Sequence, residues 1–198
     1  MKNITEIPYN KIINSLKFHD AIVRYVYLMQ NKNTIDEIYE LVFCELYDLT
    51  PRAMHIKENV FVEFKDNYFK KLKQYISNPS LMPNIDGVID QLKTKNHKKD
   101  EKVFASKLMH TVEPQTYPVW DKYVCNKHHY KQNMNKTKKK TFNDRYIEYI
   151  GKVKDYCIAN RTDADTMIYA FNNNPKYQNL PIQIEGHKII DFILWQDR

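Results

Sequence analysis

Lys107 and Asp121 are the residues of this sequence whose types and spacing best suit covalent chemistry. Lys107 lies in an apolar stretch, and Asp121 follows a connector with two prolines, Pro114 and Pro118. A lysine amine attacks an electrophilic carbon only when it is unprotonated, and partial burial favours that neutral form. An aspartate at a helix N-terminus stays ionised, so it can stabilise positive charge on a sugar ring or accept a proton. The pair therefore suits displacement at the C1′ carbon of a nucleoside.

Three side chains between these two residues are candidates for a base pocket. An enzyme that acts on a nucleobase must take the base out of the stack, and aromatic rings such as Tyr117 and Trp120 can then hold it. His110 lies three positions after Lys107, on nearly the same helix face, where it can orient the aspartate or contact phosphate. The alternatives stay open: a structural histidine, a helix-capping aspartate and an unrelated surface lysine explain the same residues.

The positive charge of the chain is concentrated in two segments. The net charge is +7, and the segment between Asp121 and Asp144 contains seven lysines and no acidic residue. Five more lysines lie between residues 93 and 102, against Asp100 and Glu101. Clustered lysines of this kind bind the phosphates of nucleic acids, and this binding releases counterions from the nucleic acid. The alternative is that these lysines belong to solvated loops with no binding role. The residues predicted to bind nucleic acid are Lys98, Lys99, Lys102, Lys136, Lys138, Lys139 and Lys140.

Cys125, His128 and His129 form the one cluster with metal-ligand chemistry. A structural zinc site usually needs two such clusters with short regular spacing, and the second is missing. We therefore predict no metal and no cofactor.

The cysteine count and the hydropathy pattern predict a cytoplasmic protein. The three cysteines are odd in number, and residues 1–10 do not resemble a secretion leader. The apolar stretch 21–29 is short and contains Arg24, so it cannot span a bilayer that needs about 20 apolar residues. We expect a monomer that has no membrane contact.

Helices must position the candidate residues. Only 3 glycines occur in 198 residues, which argues against nucleotide-binding loops and many-turned β folds. The spacing of Phe61, Phe64, Tyr68 and Leu72 predicts a helix, with a short strand over 60–64 as the alternative. A further helix over 100–113 carries Lys107 and ends before Pro114, and Asp121 caps the next one.

Two more patterns predict buried helix faces near the start of the chain. One apolar stripe over 9–30 consists of Ile12, Ile13, Leu16, Val23, Val26 and Tyr27. Thr34 and Glu37 have the spacing of a capping box, followed by a face of Ile38, Leu41, Val42 and Leu46. The sequence as a whole predicts an all-α, multi-helix globular domain over residues 1–198, with two lobes around a cleft near 100–125 as a variant.

The segment 103–124 resembles the helix-hairpin-helix DNA glycosylases, such as endonuclease III and 8-oxoguanine glycosylase. In that family a nucleophilic lysine opens the helix after the hairpin, and a turn with proline and valine leads to a catalytic aspartate. Lys107 and Asp121 match these positions, with Pro118-Val119 before the aspartate and Trp120 inserted between. Aligning Lys102 instead of Lys107 restores the spacing of the family, so Lys102 remains the alternative nucleophile.

The resemblance implies a fold, an activity and a partner. The expected activity is a DNA N-glycosylase that flips a damaged or modified base from double-stranded DNA and cleaves its glycosidic bond. A lyase step through a lysine Schiff base would accompany it. The hairpin of the family carries a glycine-rich turn, and this chain has no glycine between Gly87 and Gly151. A non-catalytic nucleic-acid-binding helical protein is therefore the alternative.

Overall fold

The computed structural model describes residues 6–121, 124–125 and 141–197. This part of the chain contains ten α-helices, one 3₁₀ turn at Pro79–Leu81 and no strand, so the all-α prediction is confirmed. The helices are α1 (Tyr9–Ile13), α2 (Leu16–Asn31), α3 (Glu37–Tyr47), α4 (Pro51–Met54), α5 (Glu58–Ser77), α6 (Ile85–Leu92), α7 (Lys102–Val112), α8 (Phe142–Ala159), α9 (Arg161–Asn172) and α10 (Gly186–Gln196).

The chain divides into two compact units. Unit 1 contains residues 6–26, 121, 124–125 and 147–197 of the described chain, and unit 2 contains residues 27–120 and 141–146. The helices α2 and α8 each contribute to both units. The single-domain organisation stays a prediction.

The core of unit 2 is built around one aromatic face of α5. Its buried residues include Phe61, Phe64, Tyr68 and Leu72, as their spacing predicts, and the helix continues through the segment considered as a strand. The hydroxyl of Tyr68 donates a hydrogen bond of 3.0 Å to the carbonyl oxygen of Phe104. This bond joins α5 to α7, the helix that carries the candidate lysines.

The predicted stripe over 9–30 is wrong at Leu16 and Val23, whereas Ile12, Ile13 and Val26 are buried as predicted. The helix stops after Ile13, and the Ser15 hydroxyl accepts a hydrogen bond of 3.2 Å from the backbone N–H of Phe18. This cap starts α2 with a new rotational phase, because each residue turns a helix by about 100°. As a result Phe18 is buried, whereas Leu16 is 85% exposed and Val23 is 46% exposed.

The capping box at Thr34 is also wrong, by two residues. Asp36 is the N-cap of α3, and its carboxylate accepts a hydrogen bond of 2.8 Å from the N–H of Tyr39. The buried face consists of Tyr39, Phe43, Leu46 and Tyr47, so Leu46 is confirmed, while Ile38 and Leu41 are each 60% exposed. Large aromatic side chains bury more area than the aliphatic ones, and their pattern decides the face.

The core of unit 1 brings the two ends of the chain together. α9 packs on α10, and α1 contacts both helices. The Tyr177 hydroxyl donates to the carbonyl oxygen of Ile13 at 2.8 Å, and the rings of Phe171 and Tyr177 are stacked 4.5 Å apart. These contacts hold α1 against the segment that follows α9.

Removing one hydroxyl tests the junction between α5 and α7. We expect Tyr68→Phe to lower the free energy of unfolding by about 1 kcal/mol, because a buried hydrogen bond is lost while the ring volume is kept. Urea unfolding followed by circular dichroism measures the change. Phe69→Leu, which alters packing at the next position and leaves this bond in place, separates the hydrogen bond from general core disruption. An unchanged midpoint for Tyr68→Phe would contradict the assigned role of this bond.

Candidate functional site

Lys107 projects from the middle of α7 and is half-buried. Its Nζ donates a hydrogen bond of 2.5 Å to the carbonyl oxygen of Tyr47, at the end of α3. The same Nζ lies 4.9 Å from the ring centre of Phe104 and 5.6 Å from that of Tyr47. A carbonyl oxygen and two ring faces solvate an ammonium group well. Lys107 thus connects α7 to α3 in this conformation.

Asp121 performs the capping role predicted from its position. Its Oδ1 lies 3.4 Å from the backbone nitrogen of Val124, and its carbonyl oxygen accepts a hydrogen bond of 2.8 Å from the N–H of Cys125. The rest of the predicted helix lies outside the described residues. Asp121 belongs to unit 1 and Lys107 to unit 2, so a shared cleft for the pair stays a prediction.

The three predicted base-pocket residues hold the 113–120 connector in place. The Nδ1 of His110 lies 2.8 Å from the carbonyl oxygen of Tyr117, so this nitrogen carries the proton, because a carbonyl can only accept. The backbone N–H of Trp120 donates to the Ser106 hydroxyl at 2.9 Å, and its indole packs edge-on against Phe142 at 5.1 Å.

Burial distinguishes these three side chains from each other. His110 is 1% exposed and Trp120 is 3% exposed, so both lie in the core of unit 2. Tyr117 is half-buried, and its ring stacks on that of Tyr146 at 6.5 Å. Of the three, Tyr117 has the most accessible side chain for a base to contact.

Acidic neighbours offset part of the lysine cluster at 93–102. The Nζ of Lys93 lies 2.8 Å from Asp90 and 2.9 Å from Asp100, and these hydrogen bonds raise the pKa of Lys93 above its ordinary value. The Nζ of Lys99 lies 3.3 Å from Glu101. Lys98 is exposed. The other predicted nucleic-acid-binding residues, Lys136, Lys138, Lys139 and Lys140, lie outside the described residues.

An open pocket of about 380 Å³ lies in unit 2, and we call it the Lys102 pocket. It is formed by α6, the segment 93–102 and the first turn of α8. Three cations and three carboxylates line it, together with Ile89, Thr141 and Phe142: Lys93, Lys102, Arg145, Asp86, Asp90 and Asp100.

One aromatic ring brings two of these cations together. The Nζ of Lys102 lies 5.1 Å from the ring centre of Phe142, and the guanidinium carbon of Arg145 lies 5.6 Å from it. Sequence reasoning identified Lys102 but missed Arg145 and Phe142. They stand about forty positions away along the chain, beyond the lysine-rich segment, and only folding brings them to this pocket.

The backbone at the start of α8 already has partners. Asp86 accepts a hydrogen bond of 3.2 Å from the N–H of Asn143. Thr141 and Asp144 cap each other reciprocally, with bonds of 3.1 Å and 3.0 Å between side chain and backbone. By contrast, no carboxylate within the described ranges forms an ion pair with Lys102, whose one close contact is the Phe142 ring. Lys102 is therefore the pocket cation best able to accept an anionic ligand.

The segment that leads to Lys102 is held by Glu63 of α5. Its two carboxylate oxygens accept hydrogen bonds from the N–H of Lys95 at 3.1 Å and the side-chain amide of Asn96 at 2.7 Å. These bonds lower the pKa of Glu63 below its usual value, and the hydrogen bond from Asn96 contributes most to this shift. Next to it, the buried side chains of His97 and Glu101 form a bond of 2.9 Å. The pocket lysine thus follows a well-anchored loop.

Comparisons with protein-family models, with curated proteins and with solved structures found no match to this chain. The resemblance to the glycosylases stays a prediction. In the described part of the chain no three histidine, cysteine or acidic side chains are grouped closely enough to hold a metal ion. All three cysteines are free, and burial raises the pKa of the Cys125 thiol to about 12. Over the same ranges no helix combines the length and apolar character needed to cross a membrane.

The anchoring of the loop predicts a pH dependence of stability. Glu63 has a lower pKa in the folded protein than its unfolded value of about 4.3, so the folded state gains stability above that value. This gain is lost as the pH falls through the folded value. We therefore expect wild type to be more stable than Glu63→Gln at pH 7, and the difference to shrink below about pH 4.

Urea unfolding of both proteins between pH 3 and pH 7 measures this difference. Asp66→Asn removes one negative charge from an exposed position of the same helix and controls for charge alone. A constant difference between wild type and Glu63→Gln across the pH range would contradict the assigned hydrogen bonds.

Proposed function

We propose that this chain binds nucleic acid, with double-stranded DNA as its partner. The observation that carries the proposal is the position of the lysine-rich segment in the chain. Its last residue, Lys140, directly precedes Thr141, which lines the Lys102 pocket. The C-terminal end of this segment is therefore joined directly to a residue of a pocket that Lys102 and Arg145 also line. A nucleic-acid strand bound along the lysine-rich segment would therefore meet two further cations, Lys102 and Arg145, at the C-terminal end of that segment.

Binding fits the contacts of the candidate residues better than catalysis by Lys107 and Asp121. The ammonium group of Lys107 is occupied by the Tyr47 carbonyl and two rings, and the Asp121 carboxylate caps Val124. A nucleic-acid-binding protein needs neither group in a reactive state. It needs lysines near phosphates, because released counterions supply most of the binding free energy.

The salt dependence of binding tests this proposal. We expect the affinity for a DNA duplex to fall as salt rises, with a slope that decreases by up to about 0.9 for each phosphate-contacting lysine removed. The variant replaces Lys136, Lys138, Lys139 and Lys140 by Gln. Fluorescence anisotropy with a labelled duplex between 50 and 200 mM salt gives both slopes.

A charge-matched variant makes the result specific. It replaces four exposed lysines of described helices by Gln: Lys17, Lys70, Lys152 and Lys154. We expect this control to keep most of the wild-type slope. Equal slopes for the two variants would assign the effect to net charge alone, and no binding by wild type at low salt would overturn the proposal.

Base excision is a second candidate function, and the Lys102 pocket favours it. An amine and three carboxylates line the same space, and Lys102 is the alternative nucleophile of the glycosylase resemblance. In such a reaction the neutral amine forms a bond to C1′ while the glycosidic bond breaks. The base leaves with its bonding electrons, and the nitrogen that has bonded to C1′ gives up a proton. One of the carboxylates, Asp86, Asp90 or Asp100, can accept this proton and pass it to the departing base.

Borohydride trapping tests excision and identifies the lysine. If the amine attacks C1′, the sugar ring opens to a Schiff base, and borohydride reduces it to a stable protein–DNA adduct. We expect Lys102→Ala to lose the adduct and Lys107→Ala to keep it, with substrates that carry damaged or modified bases. Loss of the adduct only in Lys107→Ala or Asp121→Asn would instead support the pair predicted from the sequence. No adduct in wild type would leave binding as the proposed function.

A further inference from the structure

We propose that the Lys102 pocket binds one nucleotide unit of a nucleic-acid strand, with its phosphate on Lys102 and Arg145. This inference rests on the proposed function, because it names the part of the nucleic acid that this pocket takes. A nucleotide within a duplex has to leave the stack to enter such a pocket.

The cationic side of the pocket suits a phosphate. Lys102 and Arg145 converge on the ring of Phe142, at 5.1 Å and 5.6 Å from its centre. An aromatic face stabilises an ammonium group less than a paired carboxylate does, so Lys102 retains much of its attraction for an anion. The first amides of α8 are bonded to Asp86 and to the reciprocal cap at Thr141. The side chains, and not the helix terminus, therefore have to hold the phosphate.

The acidic side of the pocket suits the rest of the nucleotide. Asp90 and Asp100 share the ammonium group of Lys93, and each uses its Oδ1 for that contact. Their Oδ2 atoms remain as acceptors for hydroxyl or amino groups, which sugars and bases carry. A purely anionic ligand would face these carboxylates, and a purely cationic one would face Lys102. The arrangement of charge therefore selects a ligand that combines a phosphate with hydrogen-bond donors.

The size of the pocket agrees with this ligand. Ligand pockets usually have volumes of about 300–1,000 Å³, and about 380 Å³ is near the lower end of this range. Such a space takes a single nucleotide and not a longer segment. The neighbouring units of the strand would then lie outside the pocket.

Two ligands and two variants test the inference. A deoxynucleoside 5′-monophosphate is titrated by calorimetry, and a labelled single-stranded oligonucleotide by fluorescence anisotropy, both at low salt. The variants are Lys102→Gln, inside the pocket, and Lys70→Gln, an exposed lysine of α5 that does not line it. Circular dichroism confirms that both variants are folded.

We expect Lys102→Gln to weaken binding of the monophosphate about tenfold and Lys70→Gln to change it less than twofold, as loss of one charge-assisted bond implies. The matching nucleoside without phosphate should bind wild type weakly and Lys102→Gln equally weakly. Binding of the oligonucleotide should weaken with that of the monophosphate.

The possible failures differ from each other. Unchanged binding of the monophosphate by Lys102→Gln, or no binding by wild type, overturns the pocket assignment, even if the oligonucleotide still binds. Failure of the oligonucleotide and the duplex to bind wild type overturns the proposed function. Binding of the monophosphate alone, lost in Lys102→Gln, supports the pocket as a site for a free nucleotide and contradicts its role in holding a strand.

Discussion

The attachment of the first turn of α8 to α6 and to the 113–120 connector is the contact on which the Lys102 pocket depends. Phe142 packs against Trp120, Asn143 donates to Asp86, and the Tyr146 hydroxyl donates to the carbonyl oxygen of Pro118 at 2.7 Å. One turn of helix is thus held by an aromatic contact and two hydrogen bonds. The same turn brings Arg145 and Thr141 into the pocket, so packing and binding chemistry share one set of residues.

The connector that precedes Asp121 serves this attachment. Ser106, His110 and Tyr117 hold the connector onto α7, and Trp120 at its end provides the surface on which Phe142 packs. In the sequence these residues resemble parts of a glycosylase site. In the folded chain most of their polar groups bond to backbone, which is the usual way in which buried polar groups are satisfied. Reactive chemistry and structural bonding use the same residue types, and a sequence pattern does not separate the two.

The prediction was most accurate for α5, where aromatic residues at regular helical spacing form the buried face. The periodicity of Phe61, Phe64, Tyr68 and Leu72 predicted α5. The predictions of the buried face failed in parts of α2 and α3. The break before Ser15 starts α2 with a new rotational phase, so the stripe predicted across both helices does not continue unchanged. In α3 the aromatic residues Tyr39, Phe43 and Tyr47 lie on the buried face, and the position of the Asp36 cap does not change which residues share a face.

The sequence by itself determined the helical class, the buried aromatic face of α5 and the concentration of lysines between residues 122 and 140, because these follow from composition and short-range periodicity. Only the tertiary structure decided that Lys102 meets Arg145 and three carboxylates, while Lys107 bonds to Tyr47. These partners come from separate helices, and their meeting depends on how side chains of distant segments pack. This packing depends on how all the core side chains fit together, so a short stretch of sequence does not determine it.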